Sequence, residues 1–171
     1  SSCTTAIHLS LLAFGISNGD EVLCPSLTFI APANMIRMTG ATPVFVDVDF
    51  STLTIDYRKI ENKITNKTKA IMVVHQFGHS AHMNEINQIA KRYNLKVIED
   101  CAESLGAKYK SKKTGTIGDV SCFSFFSNKI ITTGEGGAIL TNNKVFYNNA
   151  KIIRDHGMSL NKKYLFLKLG T

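Results

Sequence analysis

The chain has 171 residues, 44% of them hydrophobic and 19% charged, which is enough apolar material for one substantial core and argues against disorder. Its 20 Lys and Arg against 13 Asp and Glu leave a net charge of +7, but the basic residues are spread through 59–69, 108–113 and 162–168. That spread reads as solvated surface suited to anionic small molecules rather than a nucleic-acid interface. The apolar runs are too short and broken for a membrane span, and the chain opens without a basic segment leading into an apolar one, so a cytoplasmic protein is expected.

In chain order, residues 1–14 place apolar side chains at helical spacing and stop at Gly15, and residues 21–24 form a short apolar strand. A second helix is expected over 29–38, stopped at Gly40, then a strand over 43–46, a helix over 56–64 and a strand over 70–74. Residues 81–93 carry Met83, Ile86, Ala90 and Tyr93 on one face, the pattern of an amphipathic helix. Strands over 96–98, 120–126 and 138–140 and a closing helix over 145–155 complete the series. Strands alternating with helices predict an α/β fold of three layers, α/β/α, with a mostly parallel sheet whose ligands gather at the carboxyl ends of its strands.

Cys3, Cys24, Cys101 and Cys122 form no C-x-x-C pair and are expected as free thiols of a reducing compartment. His75, His79 and His82 lie close together, but no cysteine or carboxylate pair completes a ligand set beside them. A loop between strand and helix is expected there, and no metal.

Three features fall at strand ends. Asp100 follows the strand in KVIED, Lys129 follows the apolar run SCFSFF and precedes TTGEGG, and SSCTT opens the first helix. Singly, each has an ordinary explanation: Ser2 or Thr4 as a helix cap, Asp100 as a solvated strand-end acid, Lys129 reaching to water. Together they are the parts that hold pyridoxal phosphate. A helix N-terminus with the hydroxyls of Thr4 and Thr5 suits the phosphate, a carboxylate pairs with the pyridine nitrogen, and a lysine forms a Schiff base with the aldehyde.

The stretches SSCTTAIHLSLLAFGISNGDEVLCPSLTFIAPANMI, GATPVFVDVD, VIEDCAESLGA, GTIGDVSCFSFFSNKIITTGEGGAILTN and RDHGM resemble the DegT/DnrJ/EryC1/StrS family of pyridoxal-phosphate-dependent sugar aminotransferases, over nearly the whole chain. EDCAESLGA and FFSNKIITTGEGG are most similar to the perosamine synthase branch. The resemblance implies a fold-type I transferase large domain. It implies Lys129 and Asp100 as catalytic residues, and Thr4, Thr5, Phe29, Asp100, Glu103, Ser124 and Lys129 as cofactor-binding residues. Phe29 would stack on the ring, although it also reads as a core phenylalanine; Ser124 would join Thr4 and Thr5 at the phosphate, and Glu103 would lie near the ring hydroxyl. Cys3 stands where many members carry glycine.

The activity implied is transamination of a nucleotide-linked 4-keto-6-deoxy sugar with glutamate as donor, for surface polysaccharide synthesis, by a homodimer. Residues 1–171 would be part of the large domain, inactive alone, with an N-terminal segment and a small C-terminal domain lying outside them. Family dehydratases carry histidine at the lysine position, so Lys129 favours transamination. A dTDP- or UDP-linked sugar and a non-catalytic interaction module are the alternatives. A nucleotide-binding oxidoreductase is disfavoured, because no G-x-G-x-x-G follows the first strand.

Overall fold

The computed structural model describes residues 1–171. In chain order the elements are α1 (Cys3–Ala13), β1 (Glu21–Pro25), α2 (Ala31–Met38), β2 (Thr42–Val46), α3 (Tyr57–Ile60), β3 (Thr68–Val74), α4 (Met83–Tyr93), β4 (Lys96–Asp100), β5 (Lys108–Tyr109), β6 (Lys112–Lys113), β7 (Val120–Ser124), β8 (Gly137–Leu140) and α5 (Lys144–Arg154). Six strands form one sheet in the order β2-β1-β3-β4-β7-β8, parallel except for β8. The exception has a simple cause. A parallel return needs a long crossover, usually helical, and the 125–136 connection contains no helix.

Alternation along the strands creates two cores. Val22 and Cys24 of β1 and Ala70 and Met72 of β3 pack with Ile7 and Leu11 of α1, Ile36 of α2 and Phe146 and Ile153 of α5. Their neighbours Leu23, Ile71 and Val73 point the other way, against Ile60 of α3 and Met83, Ile86 and Ile89 of α4. Parallel strands buried on both faces make continuous apolar runs, and IMVV of β3 is buried throughout. These are the three layers that the strand and helix alternation predicts.

Several boundaries differ from the sequence expectation, each for a local reason. The helix expected from 29 begins at Ala31, with Pro32 in its first turn where a missing N–H costs nothing; Phe29 and Ile30 stay outside. The helix expected over 56–64 is one α-helical turn capped by Asp56 and followed by a 3₁₀ turn at Glu61–Lys63; only Ile60 gives it a buried anchor. β7 ends at Ser124 rather than at residue 126, because the Ser124 hydroxyl accepts the Phe126 N–H and turns the chain. The β5/β6 hairpin lies in a Lys-rich stretch with no apolar alternation to announce it.

β4 is held in register by a buried carboxylate. Glu99, wholly buried, accepts from the Gly115 and Ile117 N–H groups at 2.8 Å each, from Gly118 N–H at 2.6 Å and from His75 Nε2 at 2.9 Å. His75 Nδ1 accepts the Ala81 N–H, so its proton is on Nε2. The loop expected at His75 to His82 is present, around a 3₁₀ turn at Gln76–Gly78. His75, Glu99 and Cys101 do place three ligand-type atoms within 4.8 Å of one another, but the imidazole and carboxylate are already committed to hydrogen bonds. Burial alone would raise the Glu99 pKa; the donors from His75, Gly118 and Gly115 outweigh it and hold the carboxyl below its ordinary value. A depressed pKa gives stability that is present above the unfolded value and lost as pH falls through the folded one. Glu99→Ala should therefore cost about 3–5 kcal/mol in urea unfolding at pH 7, and the difference from wild type should shrink as the solution is acidified below about pH 4.

Candidate active site

The parallel strands end on one side of the sheet, and the chain brings its polar residues there. At the end of β4, Asp100 is 5% exposed and lies on the opposite face from Glu99. Its Oδ1 accepts the Ala102 N–H at 3.0 Å and the Cys3 thiol at 3.6 Å, while Oδ2 has no hydrogen-bond partner within the protein. Burial, the dominant influence, raises the Asp100 pKa; the Ala102 and Cys3 donors and the positive side chain of Lys129 oppose it without reversing it.

The start of α1 faces this carboxylate through Cys3. Ser2 is the N-cap; its hydroxyl accepts the Thr5 N–H at 3.1 Å, and Thr5 Oγ1 in return accepts the Ser2 N–H at 3.0 Å. Thr5 also donates to the Ser2 carbonyl at 2.9 Å, so its hydroxyl is fully employed in the cap. The N–H groups of Cys3 and Thr4 and the Thr4 hydroxyl have no acceptor within the chain. They form the anion-attracting end of an 11-residue helix. The helix end is seated against β8: a Cβ added to Gly137 would lie 2.3 Å from the Ser2 carbonyl, so only glycine permits the approach. Gly137 pairs with Ser124 across the strands, which brings that hydroxyl to the same end of the sheet.

Lys129 follows in the turn after β7, its side chain 21% exposed and its Nζ 3.9 Å from Glu103 Oε1. Glu103 Oε2 accepts the Phe77 N–H at 2.8 Å and so fastens the Gln76–Gly78 turn to the site. Phe29 is 73% exposed at the end of the β1 connection, which rejects its reading as a core residue and leaves its ring uncovered.

Asp100, Glu103, Lys129, Thr4, Thr5 and Ser124 thus share the carboxyl-end region, with the exposed Phe29 after the carboxyl end of β1. Sequence reasoning missed the Cys3 thiol and the Phe77 amide. The first was visible only as a cysteine in a motif, and the second is a backbone group without a sequence signal. A cavity of about 900 Å³ lies elsewhere, between α1, β8 and α5; of the expected site residues only Thr5 lines it.

These groups fit pyridoxal phosphate. Asp100 is a buried residue whose Oδ2 has no donor within the protein, the α1 end supplies free donors for an anion, and Lys129 supplies a primary amine.

Comparison with known proteins agrees. The sequence profile of the DegT/DnrJ/EryC1/StrS aminotransferase family matches residues 1–171. GDP-perosamine synthase of Escherichia coli O157:H7 is 55% identical over 164 residues, 96% of this chain and 45% of that protein. The chain thus spans about half the length of the curated relatives it matches. Among solved structures, the aminotransferase from Psychrobacter cryohalolentis superposes on the whole chain and on 46% of its own, with TM-score 0.96 and 38% identity. NtdA from Bacillus subtilis with bound cofactor PMP does so on the whole chain and on 39% of its own, with TM-score 0.93 and 37% identity. A match along all 171 residues, on a sheet and site of this geometry, shows that the chain belongs to the DegT/DnrJ/EryC1/StrS aminotransferase family.

Proposed function

We propose that this chain forms the pyridoxal-phosphate-binding part of an aminotransferase acting on a nucleotide-linked 4-keto-6-deoxy sugar, with glutamate as amino donor. The observation that carries the reading is Asp100: a buried carboxylate with one oxygen unpaired, in the same crevice as the Lys129 amine. The 55% identity to a GDP-perosamine synthase favours a GDP-linked sugar, and the 44% identity to a spore coat polysaccharide biosynthesis protein of Bacillus subtilis supports surface polysaccharide synthesis. We assign the cytoplasm as its compartment, which suits four unpaired cysteines. No helix is long and apolar enough to cross a membrane. The length of the relatives supports residues 1–171 as part of a large domain within a longer enzyme, and the exposed apolar side chains Ile130 and Ile131 beside Lys129 suit a second subunit closing the site.

Pyridoxal phosphate, when bound, supplies an electrophilic carbon for an amine and a ring that withdraws electrons from the reacting carbon. The chain supplies the rest. Asp100 Oδ2 would accept a hydrogen bond from the protonated pyridine nitrogen, and its negative charge would keep the proton on that nitrogen. The Cys3 and Thr4 N–H groups, the Thr4 hydroxyl and Ser124 would bind the phosphate, with Thr5 holding the helix end in shape. Lys129 Nζ would supply the amine that holds the cofactor and, when free, the base that takes a proton from the substrate carbon and returns it. Glu103, 3.9 Å away, orients that amine. Phe29 offers an aromatic face that shields one side of the ring from water.

In the full-length enzyme, Lys129→Ala should abolish the borohydride-reducible cofactor adduct; peptide mapping that finds the adduct on Lys112 or Lys113 would overturn the assignment. A screen of GDP- and dTDP-linked 4-keto-6-deoxy sugars, with glutamate consumption as readout, decides the substrate.

Asp100→Asn tests the carboxylate in two ways. Turnover should fall by roughly a thousandfold, since an amide cannot hold the pyridinium proton. The cofactor-free variant should be more stable than wild type at pH 8, because burial raises the Asp100 pKa and the ionised form is the costly one. The sign follows from linkage: an acid with a raised folded pKa loses stability as pH rises through that value, whereas the amide does not titrate. The advantage of Asn in urea unfolding should shrink as pH falls toward about 4.

A further inference from the structure

Oδ1 of Asp100 takes both of its hydrogen bonds, and one of the two donors is unusual. Ala102 N–H lies only two residues beyond Asp100, in the stretch that leaves β4. The Cys3 thiol comes from α1, 97 residues away in sequence, and is itself buried. We propose that Cys3 is a positioning residue: by donating its S–H to Asp100 Oδ1 it fixes the carboxylate rotamer so that Oδ2 is presented to the crevice, and it ties the phosphate end of the site to the ring end. The inference rests on the assignment of Asp100 to the ring nitrogen made under Proposed function.

The geometry gives the thiol little else to do. Cys3 is the first residue of α1, locked by the Ser2–Thr5 capping box on one side and by the close seat on Gly137 on the other. Its Sγ has no other hydrogen-bond partner. Burial, followed by the nearby Asp100 charge, pushes the thiol pKa far above its ordinary value, so the sulfur keeps the proton it donates at any physiological pH. A carboxylate with two equivalent oxygens and a single backbone donor can turn about its terminal torsion, which is broad and two-fold. A second donor from a different element removes that freedom. The charge of Asp100 is also felt by Cys24 of β1, Cys101 and Cys122 of β7, and it is faced by His75 after β3 and by Lys129. Cys3 and Ala102 are the groups that hydrogen-bond it.

The experiment compares full-length wild type, Cys3→Ala, Cys3→Ser and Asp100→Asn. In the cofactor-free proteins, infrared difference spectra against Cys3→Ala identify the Cys3 S–H stretch, and in Asp100→Asn this band should move to higher frequency because a neutral amide is the weaker acceptor. An unmoved band overturns the hydrogen bond. Pyridoxal phosphate should bind Cys3→Ala about tenfold more weakly, with a shifted absorbance maximum, and Cys3→Ser should restore both because its hydroxyl is a donor. Equal affinity and spectrum in wild type and Cys3→Ala overturn the inference, as does a Cys3→Ser protein that behaves like Cys3→Ala. Thermal midpoints of the two variants separate packing from positioning, since a packing role predicts that affinity follows stability. Failure of the wild type to take up pyridoxal phosphate would sink the reading of the site instead, and the infrared arm decides the Cys3 bond in either case.

Discussion

Glu99 is the constraint on which the arrangement rests. A fully buried carboxylate is tolerable only when its oxygens are satisfied, and this one collects the three backbone donors of the 115–118 turn and the His75 ring. Those bonds join the end of β3, the body of β4 and the turn that leads into β7. Three adjacent strands are thereby held at common height where the ligand groups emerge. Gly115 is part of the same arrangement: it has φ +83°, and a Cβ there would lie 2.4 Å from the Phe123 ring, so the turn can close over Glu99 only with glycine at that point.

The neighbouring residue shows what happens when the same chemical group is left incomplete. Glu99 and Asp100 are consecutive and buried, and strand geometry sends them to opposite faces. Glu99 meets enough donors to be held ionised. Asp100 meets two, both on one oxygen, and burial makes its charge costly. One carboxylate consolidates the sheet and the other is kept in an unfavourable state that a cationic ring nitrogen would relieve. Such local cost at a functional position is sustained by the surrounding cores, which are packed on both faces of the sheet.

The two ends of the proposed cofactor site are tied to different parts of the fold. The phosphate end depends on α1, whose cap is built from Ser2 and Thr5 and whose seat depends on Gly137. The ring end depends on β4. Lys129, in the turn after β7, reaches toward Glu103, which is in turn fastened to the Phe77 amide. Phe77 adopts φ 54°, a strained conformation for a bulky side chain, held in place by that contact.

Much of this was legible in the residues. The alternation of apolar strand and amphipathic helix determined a layered α/β fold, because a period of two or 3.6 leaves few ways to bury both kinds of stripe. Strand-end placement and motif resemblance together singled out Asp100, Lys129 and the start of α1. The sequence could not say that β8 runs antiparallel, which depends on the 125–136 connection lacking a helix, nor that 108–113 makes a hairpin. It could not divide labour between Thr4 and Thr5, since the capping box takes one hydroxyl and leaves the other free. Nor could it tell Glu99 from Asp100 by their chemistry, or pair Cys3 with Asp100 across 97 residues. Periodicity is a local property of the chain, whereas hydrogen-bond saturation depends on which distant groups the packed sheet and helices bring within reach, and that is decided only in the folded protein.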